Sequence, residues 1–184
     1  MRVRLAAALA ALTTLAIVTT ALTTAGAHGP TRRKVQEQVE INATPAKVWA
    51  VIGNFQDMGW LAPVARTEGE KGNEIGATRR LTLKDGATVE EELYKYDAEK
   101  MSYSYRITAV DVKVLPVTNY SSTITVQPGA DGKGSVVEWA GAFYRGFPNN
   151  EPPPELNDEA AIKAVTGLYR DGLDGLKKKI ESGS

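Results

Sequence analysis

Residues 157–180, NDEAAIKAVTGLYRDGLDGLKKKI, decide the fold. Asn157 or Asp158 supplies the short polar side chain that caps a helix N-terminus by accepting a bond from an otherwise unpaired backbone N–H. Behind it Ala161, Val165, Leu168, Leu173, Leu176 and Ile180 fall mostly at spacings of three and four. One stripe of a long helix, running to about Ile180, is therefore apolar and has to be covered. Gly167, Gly172 and Gly175 lie inside it, each costing up to about 1 kcal/mol relative to Ala. Three such residues in one helix imply close approach of another surface or room left for a ligand; local irregularity is the other reading. Lys177, Lys178 and Lys179 suit the negative end of the helix dipole, or alternatively an acidic docking partner.

What covers that stripe is written upstream. From Val64 the hydrophobic period is two, which places strands near 64–70, 76–83, 87–96, 101–109, 118–127 and 135–145. The breaks between them are Lys71-Gly72-Asn73, Asp85-Gly86, Asp97-Ala98-Glu99 and the stretch Pro128 to Gly132, whose Asp-Gly pairs are strong turn formers. Connections this short imply an antiparallel meander, because parallel neighbours need crossovers of a dozen or more residues. Further upstream, Val35 to Ile41 alternates as a first strand. Thr44-Pro45 then opens a helix, Thr as N-cap and Pro where its missing N–H costs nothing. That helix carries Lys47, Val48, Trp49, Val51 and Ile52 and stops at Gly53; Phe55 to Leu61 reads as a second short helix or a turn, ended by Pro63. Phe147 to Asn157, with Pro148, Pro152, Pro153 and Pro154, is a stiff irregular loop. The expectation is an α+β domain. A curved antiparallel sheet of about seven strands, with two short helices after strand 1, closes around the long C-terminal helix and leaves a space between them.

Composition removes many functions. The 184 residues hold 22 Lys+Arg against 22 Asp+Glu, so no cationic excess exists to neutralise nucleic-acid phosphates. With no Cys, disulfides, zinc ribbons, iron–sulfur ligation and thiol catalysis are all excluded. His28 is the single histidine, so a copper brace lacks its second imidazole and neither metal nor cofactor is expected. Residues 1–27 read as a signal peptide: Arg2 and Arg4, an apolar stretch from Leu5 to Leu22, then Ala25-Gly26-Ala27. An uncleaved anchor is the rival reading, since no charge lies between Arg4 and Arg32; the threonines in the apolar run and the well-formed cleavage site favour removal. Loss of Arg2 and Arg4 leaves 20 basic against 22 acidic residues, a net −2. The expected product is a single exported domain, residues 28–184, in a bacterial periplasm, with no membrane span retained after cleavage.

The quoted segments carry a resemblance. Ile41-Asn-Ala-Thr-Pro-Ala-Lys-Val-Trp49 followed by Ala50-Val-Ile-Gly-Asn-Phe55 resembles the opening of START-like, helix-grip proteins (the SRPBCC, or polyketide cyclase/dehydrase-like, superfamily). Tyr96 to Arg106, Val137 to Gly146, Pro153 to Asp158 with the Gly175-Leu-Lys-Lys-Lys179 tail, and the start His28-Gly-Pro30 are similar to the MxaD-type periplasmic proteins of methanol oxidation. The resemblance implies a helix-grip fold and a non-catalytic accessory role, assisting electron flow from methanol dehydrogenase to its cytochrome c. It supplies no catalytic residues.

Alternation also suggests which side chains face inward. Met101, Tyr103, Tyr105 and Ile107 share one face; Tyr120, Ser122, Ile124 and Val126 another; Val137, Trp139, Gly141 and Phe143 a third. With Trp60 they make an aromatic, mostly apolar interior, either a pocket for a small apolar ligand or a filled core. Arg79, between Ala77 and Leu81, and Glu91, between Val89 and Leu93, share inward parity. Either they form a buried pair able to orient a ligand or move a proton, or a bulge or edge leaves both in water. The candidate ligand-binding residues are thus Trp60, Arg79, Glu91, Tyr103, Tyr105, Tyr120, Trp139 and Phe143. Tyr144, Arg145 and Phe147, beside the Pro-rich loop, are expected to be exposed, as a partner-binding patch or a lid. Glu90-Glu91-Glu92 cannot converge on a metal from a strand, and Gly129 to Gly134 reads as a hairpin turn. A carrier or sensor, and a cyclase- or lyase-type enzyme using Arg79, Glu91 or a tyrosine, are the alternative functions.

Overall fold

Local rules build most of the elements. The structure, a computed structural model, describes residues 29–130 and 132–183; the expected signal segment and His28 lie outside them. After strand β1 (Arg33–Ile41), Thr44 accepts from the Lys47 N–H and Pro45 opens helix α1 (Pro45–Ile52). At the other end of the chain Asn157 caps α2 (Asp158–Glu181), its Oδ1 accepting from the Ala160 N–H at 2.8 Å. Between them run β2 (Val64–Glu70), β3 (Thr78–Leu83), β4 (Thr88–Asp97), β5 (Ser102–Val110), β6 (Val117–Pro128) and β7 (Ser135–Arg145). Gly86, at φ +89°, turns the β3–β4 hairpin, helped by the Ala87 N–H bonding to Asp85 Oδ1. The β6–β7 connection is a hairpin in which the Gly129 N–H donates to the Gly134 carbonyl.

The strands form one antiparallel sheet in the order β1-β7-β6-β5-β4-β3-β2. The meander β2 to β7 is as expected, and β1 joins beside β7, Val35 opposite Gly141 and Val39 opposite Val137. Helix α2 lies across the inner face chiefly over β1 and β7, burying Ala161, Val165, Tyr169, Leu173, Leu176 and Ile180. At about 25 cal/mol per Å² of apolar surface, burial of such a stripe dominates the helix's stability. The inner face of β2–β5 is met instead by segment 53–63.

Two local expectations need correction. Residues 54–63 form turns rather than a second helix. Asn54 and Asp57 side chains capture the N–H groups of Gln56 and Gly59, and Gln56 Nε2 reaches the carbonyls of Glu70, Gly72 and Thr78. These bonds satisfy the backbone in turns and tie the segment to the β2–β3 hairpin, replacing a helical ladder. Of the three helix glycines, only Gly172 is in close quarters: a Cβ there would meet Leu61 Cδ1 at 2.8 Å and Trp139 Cζ3 at 2.9 Å, whereas Gly167 and Gly175 have nothing within 4 Å. Lys178 and Lys179 lie in the last turn of α2, as expected, and Lys177 and Lys179 also donate to the carbonyls of Glu40 and Gly59.

Candidate functional site: an apolar cavity with a buried ion pair

The alternation of β3 and β4 carries two charges inward. Arg79 and Glu91 sit directly opposite each other in the β3–β4 register, among buried Ala77, Leu81, Val89 and Leu93. Arg79 is 2% exposed and Glu91 5%, so both are withdrawn from bulk water, although β4 bulges between Glu90 and Glu91. Arg79 Nε donates to Glu91 Oε2 at 2.5 Å and Nη1 donates to the Phe55 carbonyl at 2.7 Å. The guanidinium lies over the rings of Phe55 and Tyr105, 4.1 and 5.0 Å from their centroids. Burial opposes its charge, but the Glu91 carboxylate and the Tyr103 and Tyr105 hydroxyls more than offset this, so its pKa lies above the ordinary value. Burial pushes the Glu91 carboxyl up, against the downward pull of Arg79. Glu90 and Glu92 point the other way, to Arg80 and Arg106, as strand parity requires.

Beyond this pair the interior is not filled. A cavity of about 250 Å³ lies between the sheet, segment 58–64 and α2. Met58, Leu61, Leu81, Val89, Glu91, Tyr105, Tyr120 and Trp139, all buried, form its inner wall. Half-buried Val64, Leu83, Ile107, Val114, Leu115, Ala164 and Leu168, with exposed Pro63, form the outer part and mouth.

Trp139 stacks on Tyr169 with ring centroids 4.4 Å apart, and its Nε1 donates to Ser122 Oγ at 2.8 Å and Tyr105 OH at 3.2 Å. Ser122 gives its own proton to the Ala140 carbonyl. Tyr169, 3.1 Å away, therefore donates to Ser122, and Tyr120, 2.6 Å from Tyr169, donates to Tyr169. This chain leaves the Tyr120 oxygen able to accept and the Tyr105 hydroxyl proton without an acceptor among the described residues. All three phenols stay protonated: burial raises Tyr105 and Tyr120 well above the usual value, and Tyr169 to about 12.

Of the sequence-derived candidates, Glu91, Tyr105, Tyr120 and Trp139 come together on the cavity wall. Arg79 stands behind Glu91. Trp60, Tyr103 and Phe143 are buried in the aromatic core around it, Trp60 edge-on to Trp139 and Phe143 stacked on Tyr120. Arg145 contradicts the expectation of an exposed patch. It is 8% exposed, and its guanidinium holds the carbonyls of Phe147 and Asn149 and approaches Asp158 at 3.7 Å. A five-donor fork beside a loop poor in backbone partners is drawn inward to satisfy them. Tyr144 and Phe147 are half-buried. Sequence reasoning missed Tyr169, Met58, Val114 and Leu115; Tyr169 was discoverable, because it lies four residues from both Val165 and Leu173 on the apolar stripe.

A curved seven-stranded sheet gripping one long helix over an internal cavity defines a helix-grip protein. The chain belongs to the polyketide cyclase / dehydrase and lipid transport family, whose pattern matches residues 32–181. No curated protein matches it. Among solved structures it is similar to an uncharacterized protein of Bacillus thuringiensis, with 32% identity, TM-score 0.69, 81% of this chain and 99% of the other covered. XoxI of Bacillus cereus is alike at 32% identity and TM-score 0.68, over 80% and 95%. Norcoclaurine synthase of Thalictrum flavum, solved with dopamine and hydroxybenzaldehyde, shares the fold at 16% identity and TM-score 0.63, over 84% and 90%.

Proposed function

We propose that this chain binds a small, largely apolar molecule in the helix-grip cavity and does so as a carrier or sensor without chemistry of its own. The observation that carries the reading is the cavity: about 250 Å³, walled mainly by aliphatic and aromatic side chains, with a few polar groups converging at its inner end. Ligand sites have this make-up, and an apolar cavity of roughly 150 Å³ already holds benzene. Binding rather than turnover is supported by how the polar groups are engaged. The Glu91 charge is neutralised by Arg79 through Oε2, and the Tyr120–Tyr169–Ser122 chain ends on a backbone carbonyl. Thermal-shift and native mass spectrometry screens with substituted benzenes and short alcohols test the reading: a stoichiometric adduct and a raised Tm are expected, and no adduct from any apolar compound would refute it.

A second reading is an exported accessory role in methanol oxidation, beside methanol dehydrogenase and its cytochrome c. What favours it is that two of the segments similar to MxaD-type proteins build the cavity's inner wall: Tyr96 to Arg106 brings Tyr105, and Val137 to Gly146 brings Trp139. Deleting the gene should lower methanol-dependent oxygen uptake; unchanged uptake and growth would count against it.

A further inference from the structure

The geometry points to a neutral, hydroxyl-bearing apolar molecule as the occupant of the cavity, its hydroxyl donating to Glu91 Oε1 and accepting from the Tyr105 hydroxyl. This rests on the ligand-binding reading and names the chemistry of its ligand. Glu91 is the one ionisable Asp, Glu, Lys or Arg side chain on the wall among the described residues. Its Oε2 is held by Arg79, while Oε1 has no hydrogen-bond partner among the described residues and keeps some accessible surface, the side chain being 6% exposed. A carboxylate oxygen that opens only onto an apolar cavity is poorly hydrated, and a ligand donor there replaces the water it lacks. The neighbouring Tyr105 hydroxyl accepts from Trp139 and keeps its proton to give; the Tyr120 oxygen has acceptor capacity to spare. One hydroxyl fits this set, because it is donor and acceptor at once.

Charge excludes the alternatives. The Arg79 guanidinium already neutralises Glu91, so an ammonium would be a second buried cation without its own counter-ion. A carboxylate or phosphate would face the Glu91 oxygen, and the spare Arg79 Nη2, which is fully buried, belongs to a residue behind the wall rather than on it. Both would leave an uncompensated charge out of water. The apolar remainder of the wall suits a single ring or a short hydrocarbon chain.

Calorimetric titration of the full chain with four molecules of one shape decides the matter: p-cresol, p-xylene, 4-methylbenzylamine and 4-methylbenzoate. The expected result is p-cresol binding roughly ten-fold or more tighter than p-xylene, the yield of a hydrogen bond to a charged group, with both ionic analogues weakest. In the R79M/E91L variant, where an apolar pair of similar volume replaces the buried charges, the preference for p-cresol should collapse. Equal binding of p-cresol and p-xylene, tighter binding of either ion, or a preference that survives in R79M/E91L overturns this inference and leaves ligand binding standing. If none of the four binds, both fall together.

Discussion

Gly141 and Tyr169 show how one residue permits another. Tyr169 reaches from α2 to the sheet to stack on Trp139 and bond Ser122 and Tyr120, and a Cβ at Gly141 would collide with its hydroxyl. Gly141→Ala should therefore destabilise the protein by about 1–3 kcal/mol, as overpacking does, with the loss read in urea unfolding. An unchanged midpoint would mean that Tyr169 moves aside freely. Alternation placed Gly141, Trp139 and Ser122 on inward faces, so half of this cluster was visible in the sequence. Tyr169 was not singled out because a tyrosine on an amphipathic helix is as often at the edge of the stripe as in it. Arg145 failed in the opposite sense: a charged side chain beside prolines reads as surface, and only the folded loop shows which carbonyls it satisfies.

At the level of the element, α2 separates glycines that look alike. Gly172 is pressed against Leu61 and Trp139, whereas Gly167 and Gly175 face open space. Gly167→Ala should stabilise by up to about 1 kcal/mol, through helix propensity and a less flexible unfolded chain, while Gly172→Ala should destabilise. Paired thermal melts would reveal the opposite signs; two shifts of the same sign would contradict the packing described. The helix ends follow local rules throughout. Thr44 and Asn157 cap as their side chains dictate. Segment 54–63 departs from helix because Asn54 and Asp57 bond N–H groups two residues on, in turns, while Gln56 bonds carbonyls of the β2–β3 hairpin, which lies later in the chain.

Across the whole molecule, Asp158 ties the start of α2 to β1 and β7. Its bond to Arg33 at 2.8 Å, with Arg145 nearby, holds its pKa below the ordinary 3.8. A carboxylate depressed in the folded state contributes stability that is present above the unfolded pKa and lost as pH falls through the folded one. Unfolding free energy should thus fall as pH drops below about 3.8. Asp158→Asn should remove that part of the slope while lowering stability at neutral pH; an unaltered acid limb would show that the pair contributes nothing. The cavity makes a second molecule-wide prediction. Ala164 stands at its mouth on α2, half-buried, so Ala164→Phe should block uptake of apolar probes in calorimetry while the fold is kept by circular dichroism. Undiminished binding would place the ligand elsewhere.

The residues alone determined the periodicities: two along the strands, three and four along the last helix, with Thr44, Asn157 and Gly86 marking ends and turns. These are properties of near neighbours in the chain, governed by backbone sterics and local hydrogen bonds. Parity even set Arg79 and Glu91 on one side of adjacent strands, leaving open whether they met water. Tertiary structure settled that they meet each other, and decided that the space beside them stays open, which glycine is crowded, and where Arg145 turns. Volume, desolvation and shared hydrogen bonds depend on groups brought together from distant parts of the chain, and no local pattern encodes how those surfaces fit.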